Sequence, residues 1–224
     1  MDTDHTKQKR ILSYLTIMTT FLMGFIDAYT FAERGGTFAS AQTGNMVSFG
    51  AKIFTGKWAD AAGHVSVFLG FTIGAFLGEA VIQKFSILGL RKYRIFILTQ
   101  TVLLLLLAVF QVGMADSLMV FFLGLLAGYE LTTFRSFRGT STNNGIMTGN
   151  TKNLMNSLYV SIFSGDRKAM REWNNLFTVI IVFIVGVGAG TLIMKIDAIL
   201  NLWAAFALNV CILIWLVASR KNTV

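Results

Sequence analysis

The chain has 224 residues, of which 54% are hydrophobic and 13% charged, with 20 phenylalanines and a formal net charge of +8. That much apolar side chain exceeds what a soluble domain of this length buries, which excludes a separate soluble domain. The basic residues sit at the ends of apolar segments, a topology signal and not a nucleic-acid surface, and one cysteine (Cys211) with two histidines (His5, His64) excludes a disulfide framework, a structural metal site and any cofactor held by them.

A bilayer core of about 30 Å takes roughly 20 apolar residues per spanning helix. Residues 11–32 form the first such stretch, behind Lys7, Lys9 and Arg10, and it is longer than the apolar region of a secretory signal, so it predicts a helix that stays in the membrane. Residues 39–54 are shorter and more polar. Three apolar stretches follow at 61–82, 95–114 and 118–134, then a second short polar one at 146–163, then 176–194 and 200–218.

The two short segments carry the same tripeptide, Thr43-Gly44-Asn45 and Thr148-Gly149-Asn150. Around them Gly24 lies 21 residues before Asn45 and Gly128 lies 22 before Asn150, while Phe54-Thr55-Gly56-Lys57 is echoed by Phe163-Ser164-Gly165-Asp166. Gly70, Gly74 and Gly78 correspond roughly to Gly186 and Gly190, rows of small residues that suit close helix packing and leave homo-oligomerisation open. These matches predict one membrane domain, 1–224, built of two related halves, about 1–113 and 114–224.

Lysine and arginine decide between two topologies. If all eight segments cross, the 19 basic residues divide 10 to 9 between the two sides, which is no bias. If the two Thr-Gly-Asn segments dip in and return, 15 fall on the inner side and only Arg34, Lys52, Lys57 and Lys195 stay outside. The expectation is therefore an all-α polytopic membrane protein with six spanning helices and two re-entrant half-helices, cytoplasmic termini, and three crossings per half, so that the halves are inverted.

Non-helical backbone at membrane depth must be buried in protein or line a polar cavity, and the Thr-Gly-Asn turns are the place for it. Gln42, Thr43, Gly44 and Asn45, with Thr148, Gly149 and Asn150, are candidate substrate-binding residues at half-helix N-termini capped by Thr or Asn. The opposing expectation is that the same groups only tie the half-helices to their neighbours. Asp27 and Glu130 are intramembrane acids at roughly corresponding places and join the candidate site. The alternatives are surface pairing of Asp27 with Arg34 and of Glu130 with Arg135 or Arg138.

At Gly24-x-x-Asp27, Ala41-Gln42-Thr43-Gly44-Asn45 and Met147-Thr148-Gly149-Asn150 the chain resembles the YoaK-like family of bacterial integral membrane proteins, along essentially its whole length. That family is of unknown function. The resemblance implies a multi-pass fold in a bacterial cytoplasmic membrane and names no substrate; Tyr129-Glu130-Leu131 stands where a Gln-Asn pair is expected.

No nucleophile–base arrangement and no phosphate loop is present, so the chain is not expected to be an enzyme. The leading expectation is a small-solute transporter or channel taking a small polar or ionic solute. A scaffold or sensor that binds a partner or lipid through basic inner loops is the second, and an intramembrane enzyme using Asp27 and Glu130 as acid and base a distant third.

Overall fold

The structure, a computed structural model, describes residues 2–85 and 91–221. Segment 86–90, which the charge pattern assigns to an inner loop, lies outside the described residues. Among the described residues eight helices form: α1 (Asp2–Glu33), α2 (Gln42–Phe54), α3 (Trp58–Lys84), α4 (Arg91–Phe110), α5 (Asp116–Thr133), α6 (Met147–Ser164), α7 (Arg167–Met194) and α8 (Ile199–Lys221). A two-stranded hairpin, β1 (Ser136–Phe137) and β2 (Thr140–Ser141), joins α5 to α6.

Five of these, all but α2, α5 and α6, are long and apolar enough to cross a membrane. α5 has 18 residues and buries eleven of them. It and α1 form the centre: 67% of the apolar window of α1 is covered by protein, against 22% for α3 and for α7. The outer helices turn Leu69, Ile73 and Phe76, or Phe177, Ile181 and Ile184, outward. These faces suit lipid, whereas Leu22, Ile26, Leu104, Leu123, Leu126 and Leu202 fill the shared core.

α1 and α7 starts lie earlier than the apolar stretches imply. α7 begins at Arg167 and not at 176, because Asp166 accepts from the Lys168 amide (2.7 Å) and caps a polar first turn that hydropathy alone does not reveal.

Glycine sets how the outer helices meet the central pair. A Cβ on Gly74 would stand 2.0 Å from the Leu125 carbonyl oxygen, and one on Gly128 2.1 Å from that of Phe71. A Cβ on Gly186 would stand 2.2 Å from Phe21 O, and one on Gly24 2.3 Å from Phe183 O. The contacts advance in step along both chains, Gly74 to Leu125 then Gly78 to Tyr129, and Gly186 to Phe21 then Gly190 to Phe25, so α3 runs parallel to α5 and α7 parallel to α1. The glycine rows are thus spent inside the chain, where close backbone approach replaces the hydrophobic drive that lipid does not supply.

End contacts fix the remaining directions. Arg34, after α1, pairs with Asp116 at the start of α5 and reaches Gln111 O beyond α4 at 3.5 Å. Burial works against its charge, but hydrogen bonds from its guanidinium to Tyr29 Oη and Asp116 outweigh it and hold the pKa above its ordinary value. Gln111 donates to Ile199 O at the start of α8 (3.2 Å), and Tyr14 meets Trp215 near the opposite ends of α1 and α8. So α1, α4 and α7 point one way, and α3, α5 and α8 the other.

Gly74→Val and Gly186→Val should each lower stability by about 1–3 kcal/mol, by overpacking. Gly188→Val, where nothing lies within 4 Å of an added Cβ, should be neutral. Thermal unfolding in detergent checks this; equal effects at all three sites would refute the interface.

Candidate functional site

Each short helix is preceded by an irregular loop, and one asparagine closes each loop in the same way. Asn45 Oδ1 accepts from the Phe38 amide (3.0 Å) while its Nδ2 donates to the Phe38 carbonyl (2.6 Å). Asn150 Oδ1 accepts from the Asn143 amide (3.0 Å) and its Nδ2 donates to Asn143 O (2.7 Å). In both cases a fully buried side-chain amide pairs with both backbone groups of the residue seven positions earlier. A side chain with one donor and one acceptor side by side is needed for that, which carboxylate or hydroxyl cannot offer.

The candidate residues therefore divide. Gln42 donates to Ala39 O (2.8 Å) and accepts from Asn45 (3.0 Å), so Gln42, Asn45 and Asn150 spend their amides on the chain itself. Thr43 and Thr148 are exposed. Gly44 lies under the Phe38 ring, which an added Cβ would meet at 3.1 Å, and Gly149 beside Asn143 at 3.6 Å. The helices start at Gln42 and Met147 with Ala41 and Ile146 as caps, and neither cap has a side-chain hydrogen bond. Thr and Asn thus lie within the first turn instead of capping it.

The first asparagine has a further partner that the sequence did not suggest. His64 on α3 sets Nδ1 3.3 Å from Asn45 Oδ1 and Nε2 2.8 Å from Lys52 Nζ. The ammonium can only donate, so Nε2 accepts and Nδ1–H donates to Asn45.

The loops meet each other at Ser40 and Gly145, five residues ahead of Asn45 and of Asn150. Ser40 Oγ lies 2.9 Å from Gly145 O, and a Cβ on Gly145 would fall 2.3 Å from Ser40 Cβ, so only glycine permits the approach. Their equal offset from the asparagines was the signal in the sequence.

α1 holds both loops. Asp27 accepts from the Ser40 amide (3.0 Å) at Oδ1 and contacts Ser40 Oγ with Oδ2; Thr30 Oγ1 accepts from Ala39 N (3.3 Å); Thr19 Oγ1 accepts from Asn144 Nδ2 (2.8 Å). Asp27 is therefore bonded to the loop and not to Arg34, which is taken by Asp116 and Tyr29. Glu130 accepts from Gln100 Nε2 on α4, while Arg135 pairs with Glu79. Asp27 and Glu130 are near enough to interact electrostatically, yet each has its own partner. Glu130 Oε1 and Gln100 Oε1 are buried without one.

Beside the loop contact is a cavity of about 640 Å³, bounded by Asp27, Phe31, Phe38, Thr148, Phe183 and Thr191 among others. Its walls are mainly apolar, with one carboxyl and two hydroxyls. Among the described residues no group of three or more His, Cys, Asp or Glu could hold a metal ion.

Long apolar helices around two central ones, with irregular backbone bonded to α1, define a multi-pass α-helical membrane protein. A family model described as a protein of unknown function, DUF1275, matches residues 15–215, and the chain belongs to that family, the YoaK-like membrane proteins. No curated protein and no solved structure matches it.

Asn45→Ala and Asn150→Ala should each destabilise by about 1–3 kcal/mol, since the backbone N–H and C=O of Phe38 or Asn143 lose their partner. Asn150→Leu should be no better, because an apolar side chain of similar size restores neither partner. Unfolding midpoints of the purified variants give the comparison, and an unchanged midpoint for either alanine variant would show that the clasp is dispensable.

Proposed function

We propose that the protein is a small-solute transporter or channel, with six spanning helices, two re-entrant half-helices (α2 and α6) and inverted halves. The observation that carries it is the meeting of the two loops at Ser40 and Gly145 beside a cavity of about 640 Å³. Support for re-entry comes from direction: α1 ends, and α3 begins, at the end marked by Arg34 and Asp116, so the chain between them returns to the side it left. The same holds for α5, α6 and α7 at the opposite end.

Support for inverted halves comes from matched contacts. Gly24 against Phe183 and Gly186 against Phe21 join α1 to α7; Gly128 against Phe71 and Gly74 against Leu125 repeat the pattern between α5 and α3. Such halves, with broken helices meeting near the midplane, can expose a central site to one side and then the other. The cavity favours a small polar or ionic solute with an apolar flank, its polar group towards Asp27, Thr148 and Thr191. The reading is non-catalytic, because Asp27 and Glu130 are directed to separate partners, and it places the chain in a bacterial cytoplasmic membrane with both termini inside.

Two measurements test it. In a Cys211→Ser background, Lys57→Cys should be labelled only from outside and Gly165→Cys only from inside; the reverse for either would overturn the topology. Thr148→Trp, which fills the cavity from an exposed position, should abolish solute flux into vesicles while leaving the protein folded, and undiminished flux would remove the cavity from the mechanism.

A second reading, a scaffold or sensor held to anionic lipid, is favoured by one feature. Lys9, Arg10 and Arg138 line a cavity of about 820 Å³, and Arg138, Lys168 and Arg171, with Glu172, line another of about 550 Å³ on the other side of the hairpin turn. Basic pockets at the inner membrane surface suit lipid phosphates. Arg138→Gln with Lys168→Gln should then strip co-purifying anionic lipid, and full retention would refute this reading.

A further inference from the structure

We propose that Asp27 is a proton-binding site whose proton joins the two re-entrant loops, making the proton the coupling ion of the transport reading on which this inference rests.

The contact between the loops holds too few hydrogens unless Asp27 carries one. Ser40 Oγ lies within hydrogen-bond reach of two acceptors, Asp27 Oδ2 and Gly145 O, the latter at 2.9 Å. A hydroxyl has one hydrogen, and a peptide carbonyl has none to give. If Asp27 is a carboxylate, the row Asp27 Oδ2, Ser40 Oγ, Gly145 O contains one hydrogen for two contacts. If Asp27 is an acid, it contains two: Asp27 donates to Ser40 Oγ, and Ser40 donates to Gly145 O. Both contacts are satisfied only in the protonated state.

The surroundings agree. Asp27 is buried, and the facing groups bring no positive charge. Glu130 on α5 is the acid that interacts with it; α7 offers Phe183, Val187 and Thr191, α6 offers Met147 and Thr148, and the loop before α2 offers Phe38 and Ala41. Arg34, at the end of the same helix, is engaged by Tyr29 and Asp116. A bare carboxylate there has no compensating ion among the described residues, and removing charge from water is costly.

Loss of the proton has a mechanical result. Water in the cavity takes it as the Asp27 O–H bond breaks, and the Ser40 hydroxyl turns its one hydrogen to the new carboxylate. Gly145 O is then released. Among the described residues no other hydrogen bond joins the two loops, so deprotonation frees the first loop from the second beside the cavity, a gating movement made while the α1–α7 and α3–α5 contacts hold.

The test uses the full chain in liposomes with Cys211→Ser, Phe38→Cys and Met147→Cys, two cavity-wall positions, one on the first loop and one where the second loop enters α6, and a short thiol cross-linker over a pH series. With Asp27 intact, yield should fall as pH rises, although thiolate reactivity rises with pH. Asp27→Asn keeps a donor towards Ser40 Oγ and should hold the high yield at every pH; Ser40→Ala should give the low yield at every pH. Yield that climbs with thiolate alike in the parent and in Asp27→Asn would overturn the proposal, as would loss of the pH dependence in Glu130→Gln alone. Solute flux in the same vesicles separates the two readings: flux blocked by Thr148→Trp alongside pH-independent cross-linking would sink the proton link and leave transport standing.

Discussion

Hydrocarbon offers no partner to a peptide N–H or C=O, and every irregular stretch of this chain inside the helix bundle answers to that constraint. In the loops before α2 and α6, the amides of Asn45 and Asn150 replace the missing strand partner for Phe38 and Asn143. Threonine hydroxyls on α1 take up more of the load, at Thr30 for Ala39 and at Thr19 for Asn144. The Thr-Gly-Asn sequence is thus first a device for making a loop dry, and the cavity beside it is a consequence of where two such loops are brought together.

The glycines complete that device. With α7 drawn against α1 and α3 against α5 through carbonyl–glycine contacts, the central helices are covered on their outer sides, and the loops are pressed towards one another. The approach of Gly145 to Ser40 is as tight as the helix contacts. A loop interface this close, joined by one hydroxyl bond, is both well defined and easily altered, whereas the helix interfaces are steric and have no titratable part.

Much of this was legible in the sequence, and the reasons differ by element. Long apolar runs bounded by basic residues have one solution in a bilayer, so the helices were visible at once, although five and not six of them are long and apolar enough to cross, α5 falling short. The asparagines were visible because the tripeptide recurs, and the glycine rows because four-residue spacing places them on one helix face. Residues whose meaning lies in a tertiary partner were not visible: Ser40 has no distinction until Gly145 faces it, and Asp27 reads equally well as a partner of Arg34. The hairpin at 136–141 escaped for another reason. Its strands are two residues long, and its turn needs positive φ at Arg138 (50°) as well as Gly139 (82°), which arginine rarely signals.

α1 and α5, which the recurring sequence motifs pair, differ in their polar residues, and the differences point to α1. Asp27, Thr30 and Thr19 all lie on it, while the matching face of α5 carries leucines such as Leu123 and Leu131 in its core. Glu130 is one position out of step, because Gly24 and Gly128 align Asp27 with Leu131, and it turns to Gln100 on α4 instead of to a loop. His64 fastens the first asparagine to α3, whereas on α7 Asn175 holds Thr140 of the hairpin (2.9 Å). α1 therefore contributes the polar grip on both loops, its own and the one before α6. Among the described residues Asp27 is the one carboxyl bonded at the loop contact, so the proposed switch rests on a single titratable group.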